Sequence, residues 1–164
     1  WDAVTWARLK PILIRWVVCS IGMLVFTWAY DGEKLFRLFY QRPQIIPFLM
    51  IFYPLLSALP QEFIFCTYFF DRFKRFFPAQ RAMVLASALV FAYAHMLFIN
   101  WVAPVFGFIA GLIFASTYAQ TRSLALVTIE HGLYGNVMFL VGLGWYFFSV
   151  ANEKRKEMQA ATPR

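Results

Sequence analysis

Apolar residues run along this chain in long uninterrupted blocks, without strict alternation. The first block extends from about Pro11 to Tyr30 and is broken only by Arg15, close enough to its end for the side chain to snorkel. A polar and aromatic stretch follows, Asp31 to Gln44, suited to a membrane interface. The second block, Ile45 to Phe70, is punctuated by Pro47, Pro54 and Pro60 and ends at the basic aromatic collar Asp71-Arg72-Phe73-Lys74-Arg75. The third runs from Ala82 to Ile99, and Asn100-Trp101 turns into the fourth, Val102 to Ala119. Thr121-Arg122-Ser123 supplies a turn and an N-cap candidate for the fifth, Leu124 to about Phe148, which Gly142-Leu-Gly144 bends or ends. Blocks of about 20 apolar residues match the thickness of a bilayer core, where a helix satisfies its own backbone polar groups.

The fold class expected is therefore all-α, a polytopic transmembrane helix bundle of about five to six spans. The short loops predict antiparallel neighbours packed as one bundle. Residues 1–164 read as a single integral membrane domain, with room for helices upstream because the first residue is Trp1, and with a charged tail over 152–164. Gly107, Gly111 and Ala115 recur every four residues on the fourth block. Such a small-residue face lets backbones approach closely, and it is expected to bring the third and fifth helices, with their histidines, near each other.

Composition agrees. The 164 residues are 62% hydrophobic, against roughly 45–50% apolar in a soluble domain. The net charge of +7 sits in loops and at the ends. It suits contact with anionic lipid and not nucleic acid, because the aromatics lie in apolar runs and not in a basic groove. The two sides of a five-span arrangement carry nearly equal numbers of Lys and Arg, so no orientation follows. Cys19 and Cys66 fall on different helices and suggest neither a disulfide framework nor a zinc finger.

Against this background the intramembrane polar residues are informative. Both histidines, His95 and His131, lie in apolar blocks, as do Glu62 and Glu130. An ionisable group at the bilayer centre costs roughly 2.5–3.5 kcal/mol on insertion scales. If a helix restarts at Pro60, Glu62 occupies its first turn, where the helix dipole stabilises a carboxylate. An ionised Glu62 can serve as a general base toward water or as a metal ligand. Imidazole can coordinate a metal, shuttle a proton or donate to an oxyanion. Glu130 points about 100° away from His131 on a helix and is expected to pair with another helix or with Arg122. No HExxH is present and no two histidines stand four apart, so a zincin site is excluded, but a site assembled from three helices is not.

These residues resemble the CPBP intramembrane proteases, the family of CAAX prenyl endopeptidases of the Ras-converting type and bacteriocin-processing relatives. The family pattern is Glu-Glu-x-x-x-Arg, then Phe-x-x-x-His, then His-x-x-x-Asn, on successive membrane helices. The chain offers Gln61-Glu62-Phe-Ile-Phe65-Cys66, Phe91-Ala-Tyr-Ala-His95 and His131-Gly-Leu-Tyr-Gly135-Asn136. It departs from the pattern at Gln61, where prenyl endopeptidases carry the Glu assigned to activating water. It departs also at Cys66 in place of Arg and at Gly135 in place of Asn. The resemblance implies hydrolysis of a peptide bond inside a bacterial plasma membrane, in a prenylated or leader-bearing peptide or protein. Catalytic Glu62 would deprotonate water with help from His95, and His131 would stabilise the oxyanion. The same three residues, Glu62, His95 and His131, form a donor set for a zinc ion with an open water position, and they can also work without metal. Two further readings stay open: a non-catalytic member of the fold that binds a membrane peptide or partner, and a proton-relaying transporter.

Overall fold

The computed structural model describes residues 4–147, and the expected tail over 152–164 lies outside them. The described residues are helical throughout, with no strand. Helix α1 (Trp6–Asp31) leads through a 3-10 turn, Gly32–Lys34, to the short α2 (Arg37–Gln41). The composite helix α3 covers Pro43–Phe73. Helix α4 (Gln80–His95) runs on into a 3-10 turn, Met96–Phe98. Helices α5 (Val102–Thr121) and α6 (Leu124–Leu140) follow, and a final 3-10 turn spans Leu143–Phe147. Four stretches are long and apolar enough to cross a membrane, namely Trp6–Lys34, Pro43–Phe73, Gln80–Phe98 and Val102–Thr121. The fifth apolar helix, α6, is shorter than expected. Gly142 ends it at φ +99°, where an added Cβ would collide with the Lys34 carbonyl.

The prolines of the second block do not break it. The backbone stays right-handed and helical at Ala58, Glu62 and Tyr68. A wide π stretch over Pro54–Ala58, the turn before Pro60, absorbs the perturbation there, and a second follows over Phe63–Tyr68. A proline lacks the N–H that closes an α turn and crowds the preceding one, and a wider turn relieves both. Helix α3 therefore does not restart at Pro60, and the expected dipole at Glu62 is absent because that residue lies mid-helix. In the second π stretch the Phe65 carbonyl accepts a hydrogen bond from the Ser87 hydroxyl of α4 at 2.7 Å.

Helices α4 and α5 pack most intimately. A Cβ placed on Gly111 would lie 3.0 Å from the Ala88 Cα, and one on Gly107 would lie 3.0 Å from the His95 Cγ. The small-residue face thus presses on α4. The turn after α5 has Arg122 in the left-handed region at φ 50°, and the Ser123 hydroxyl then accepts from the Leu126 N–H at 3.2 Å, the expected N-cap. The core gathers Phe70, Phe91, Phe114, Val127 and Leu143 along the bundle axis.

Helix α1 is tied in by polar groups. Arg15 turns inward instead of snorkelling: its Nη2 donates to Glu130 Oε1 at 2.6 Å and to Thr117 Oγ1 at 2.8 Å. Glu130 is wholly buried, so a charge in the first block answers a charge in the last. The Trp16 indole N–H donates to the Leu133 carbonyl at 3.1 Å.

Candidate functional site

A cavity of about 810 Å³ opens between α1, α3, α4, α5 and α6. Its walls are almost wholly apolar, and the few polar side chains on them include Ser57, Gln61, His95 and His131. Ligand sites of this size, about 300–1,000 Å³, are ordinarily apolar with a few placed polar groups.

His131 is held from three directions. A carboxylate can only accept, so Nδ1–H donates to Glu62 Oε1 at 2.7 Å. The neutral ring then has its lone pair on Nε2, which accepts from the Tyr53 hydroxyl at 2.9 Å. Phe114 stacks on the ring face at 4.5 Å and 19°. The ring is 5% exposed and borders the cavity.

Glu62 sits behind this ring. It is 1% exposed and does not border the cavity. Its second oxygen accepts from the Cys66 thiol at 3.0 Å, one helical turn along. The carboxylate is thus engaged by an imidazole and a thiol, and of these two partners His131 borders the cavity. This differs from the sequence expectation of direct contact with water. The reason is that Gln61, not Glu62, faces the cavity, where its amide donates to Ser57 Oγ at 2.8 Å.

His95 borders the same cavity from α4. Its Nδ1 lies 2.7 Å from the Phe91 carbonyl, which can only accept, so Nδ1 carries the proton and Nε2 is the acceptor of the neutral ring. Gly107 beneath it supplies the space for the ring. Phe91 lies between the two imidazoles, with ring centroids 4.5 Å from His95 and 5.8 Å from His131. The structure therefore brings both histidines to one cavity and sets Glu62 behind one of them.

Among the described residues no three His, Cys, Asp or Glu side chains are grouped to hold a metal ion. The donor chemistry agrees. His131 has both nitrogens committed, and Glu62 is shared between His131 and Cys66. Glu62, His95 and His131, the expected zinc set, are not grouped as metal ligands in this arrangement.

Tyr53 of the site and Arg15, the partner of Glu130, both escape a reading of the sequence. Arg15 carries a signal, a lone charge inside an apolar block, but its partner is invisible without the fold. Tyr53 carries almost none. The nearest hint is Gly135, whose missing side chain makes room for the Tyr53 ring: a Cβ there would collide with the ring carbons and the hydroxyl. Asn136, one residue later, points elsewhere, its amide donating to the Met50 carbonyl at 3.4 Å.

No curated protein and no solved structure matches the chain. A family model, Type II CAAX prenyl endopeptidase Rce1-like, matches residues 43–150, well over half of the chain, and covers all the histidines and carboxylates of the site. Four membrane-length helices and a shorter apolar fifth enclose this cavity, and the chain belongs to the Rce1-like family of type II CAAX prenyl endopeptidases.

Proposed function

We propose that this chain is an intramembrane endopeptidase that hydrolyses a peptide bond in a membrane-associated substrate, with imidazole in place of carboxylate as the group that meets water. The observation that carries the reading is the pair of histidines on one apolar cavity, each held with Nδ1 protonated by an acceptor behind it. Water bound at His95 Nε2 gives that nitrogen a proton as its oxygen attacks the substrate carbonyl. The carbonyl electrons move onto oxygen on the His131 side, where Glu62 fixes the ring. The C–N bond then breaks, and the imidazolium of His95 returns its proton to the leaving amine. Glu62 acts through His131 and is a positioning residue in this scheme.

The apolar walls suit a substrate that arrives from lipid with a hydrocarbon or apolar segment, such as a prenylated or leader-bearing peptide. A bacterial plasma membrane is a setting consistent with the resemblance.

The test is cleavage of a farnesylated CAAX peptide by the purified chain in detergent. His95→Ala is expected to lower kcat by about 10²–10⁴-fold, the usual worth of a general base. Glu62→Ala is expected to lose cleavage with its helical spectrum intact. Full activity in both variants would remove these residues from the reaction.

Gln61 favours a second reading. The cavity-facing position of the acidic motif holds an amide, as in a non-catalytic member that binds a peptide without cutting it. A wild-type chain that binds the farnesylated peptide and leaves it intact would be that protein.

A further inference from the structure

Tyr53 has no role in the scheme above, yet its hydroxyl is the group in contact with the cavity-side nitrogen of His131. It lies on α3 one turn before Ser57 and two before Gln61, and all three border the cavity. Its ring packs edge-on to His131 at 5.9 Å and to Phe139 at 5.1 Å, so its position is fixed from both sides. The ring also fills the volume above Gly135. Gly135 is one helical turn beyond His131, on the same face, and a side chain there would contend with Tyr53 for the same space.

We infer that the Tyr53 hydroxyl is the donor that meets the oxyanion, occupying from α3 the place that a side chain at residue 135 would otherwise fill from α6. The inference rests on the endopeptidase reading and deepens it, giving the His131 side of the cavity its hydrogen atom. In the resting chain that hydrogen points at His131 Nε2. A turn about the Cζ–Oη bond carries it onto an oxyanion formed beside the ring, with no movement of the backbone. The packing of the Tyr53 ring against His131 and Phe139 then holds the phenol where that turn is short. No proton is transferred by Tyr53, so the balance of the hydrolysis is unchanged.

The experiment compares wild type, His95→Ala, Tyr53→Phe, Tyr53→Ala and Tyr53→Ala/Gly135→Asn on the farnesylated CAAX peptide, each checked for an unchanged unfolding temperature. Loss of one oxyanion donor costs about 10²–10³ in kcat, so Tyr53→Phe is expected to fall by about 10²-fold with KM within about threefold. With the ring removed, an amide at residue 135 has room, and the double variant is expected to recover about tenfold over Tyr53→Ala. Cleavage lost in His95→Ala but kept within about threefold of wild type in Tyr53→Phe overturns the role of Tyr53 alone. A wild-type chain that cleaves nothing overturns the endopeptidase reading and this inference together.

Discussion

Gln61 and Glu62 are neighbours on α3, and their opposite surroundings decide what each can do. Gln61 faces the cavity with its amide on Ser57, while Glu62 is buried with its oxygens on His131 and Cys66. A carboxylate at 61 would keep the local geometry, because the Ser57 hydroxyl can turn from acceptor to donor. Gln61→Glu is therefore expected to fold as wild type and to raise kcat by about tenfold, adding a second base to the wall of the same cavity. Steady-state kinetics on the farnesylated peptide check this, and an unchanged or lower rate would place the attacking water away from residue 61. The three candidate residues were legible in the sequence because ionisable groups are rare in apolar blocks. The division of labour between 61 and 62 was not, since which of two adjacent residues faces a cavity depends on the turn of the helix beneath them.

Helices bring the site together by close approach, and the two glycines of α5 make different contacts. Gly107 faces a side chain, the His95 ring, and Gly111 faces backbone, the Ala88 Cα. A ring can tilt, but a helix backbone has to shift as a body. Gly111→Ala is expected to lower stability by about 1–3 kcal/mol, the usual cost of overpacking, with kcat little changed. Gly107→Ala should show the reverse: a small loss of stability and a kcat lowered by up to about 10²-fold, because the base is moved off its line. Thermal unfolding in detergent and kcat measured on both variants separate the two, and equal effects on both would refute the distinction. At this scale most of the fold could be read in advance. Long apolar blocks, the Asn100 and Ser123 turns and the Gly142 stop all mark physical limits on a helix. The exception is α3, where prolines that signal a break leave the backbone helical, with a wide turn over Pro54–Ala58 ahead of Pro60.

Across the whole molecule, one ion pair joins the first helix to the last. Among the described residues Arg15 is the cation paired with Glu130, and Thr117 is the other side chain that hydrogen-bonds it. Removing one member of a buried pair strands the other. Arg15→Met is expected to destabilise the bundle by an amount near the lower end of about 3–5 kcal/mol, since the Arg15 side chain is 39% exposed. Arg15→Met/Glu130→Gln should recover part of that loss. A double-mutant cycle read by thermal unfolding measures the coupling, and a coupling near zero would mean that the two groups act independently. This pair also bears on where the protein can be divided. The family match opens at residue 43, downstream of all of α1. Glu130 nevertheless lies next to His131 in that matched region, and its counter-charge comes from outside it. The matched sequence therefore begins at one place and the electrostatics of the bundle at another. A segment cut where the matched sequence begins would carry a buried carboxylate without its counter-charge, one residue away from the His131 imidazole.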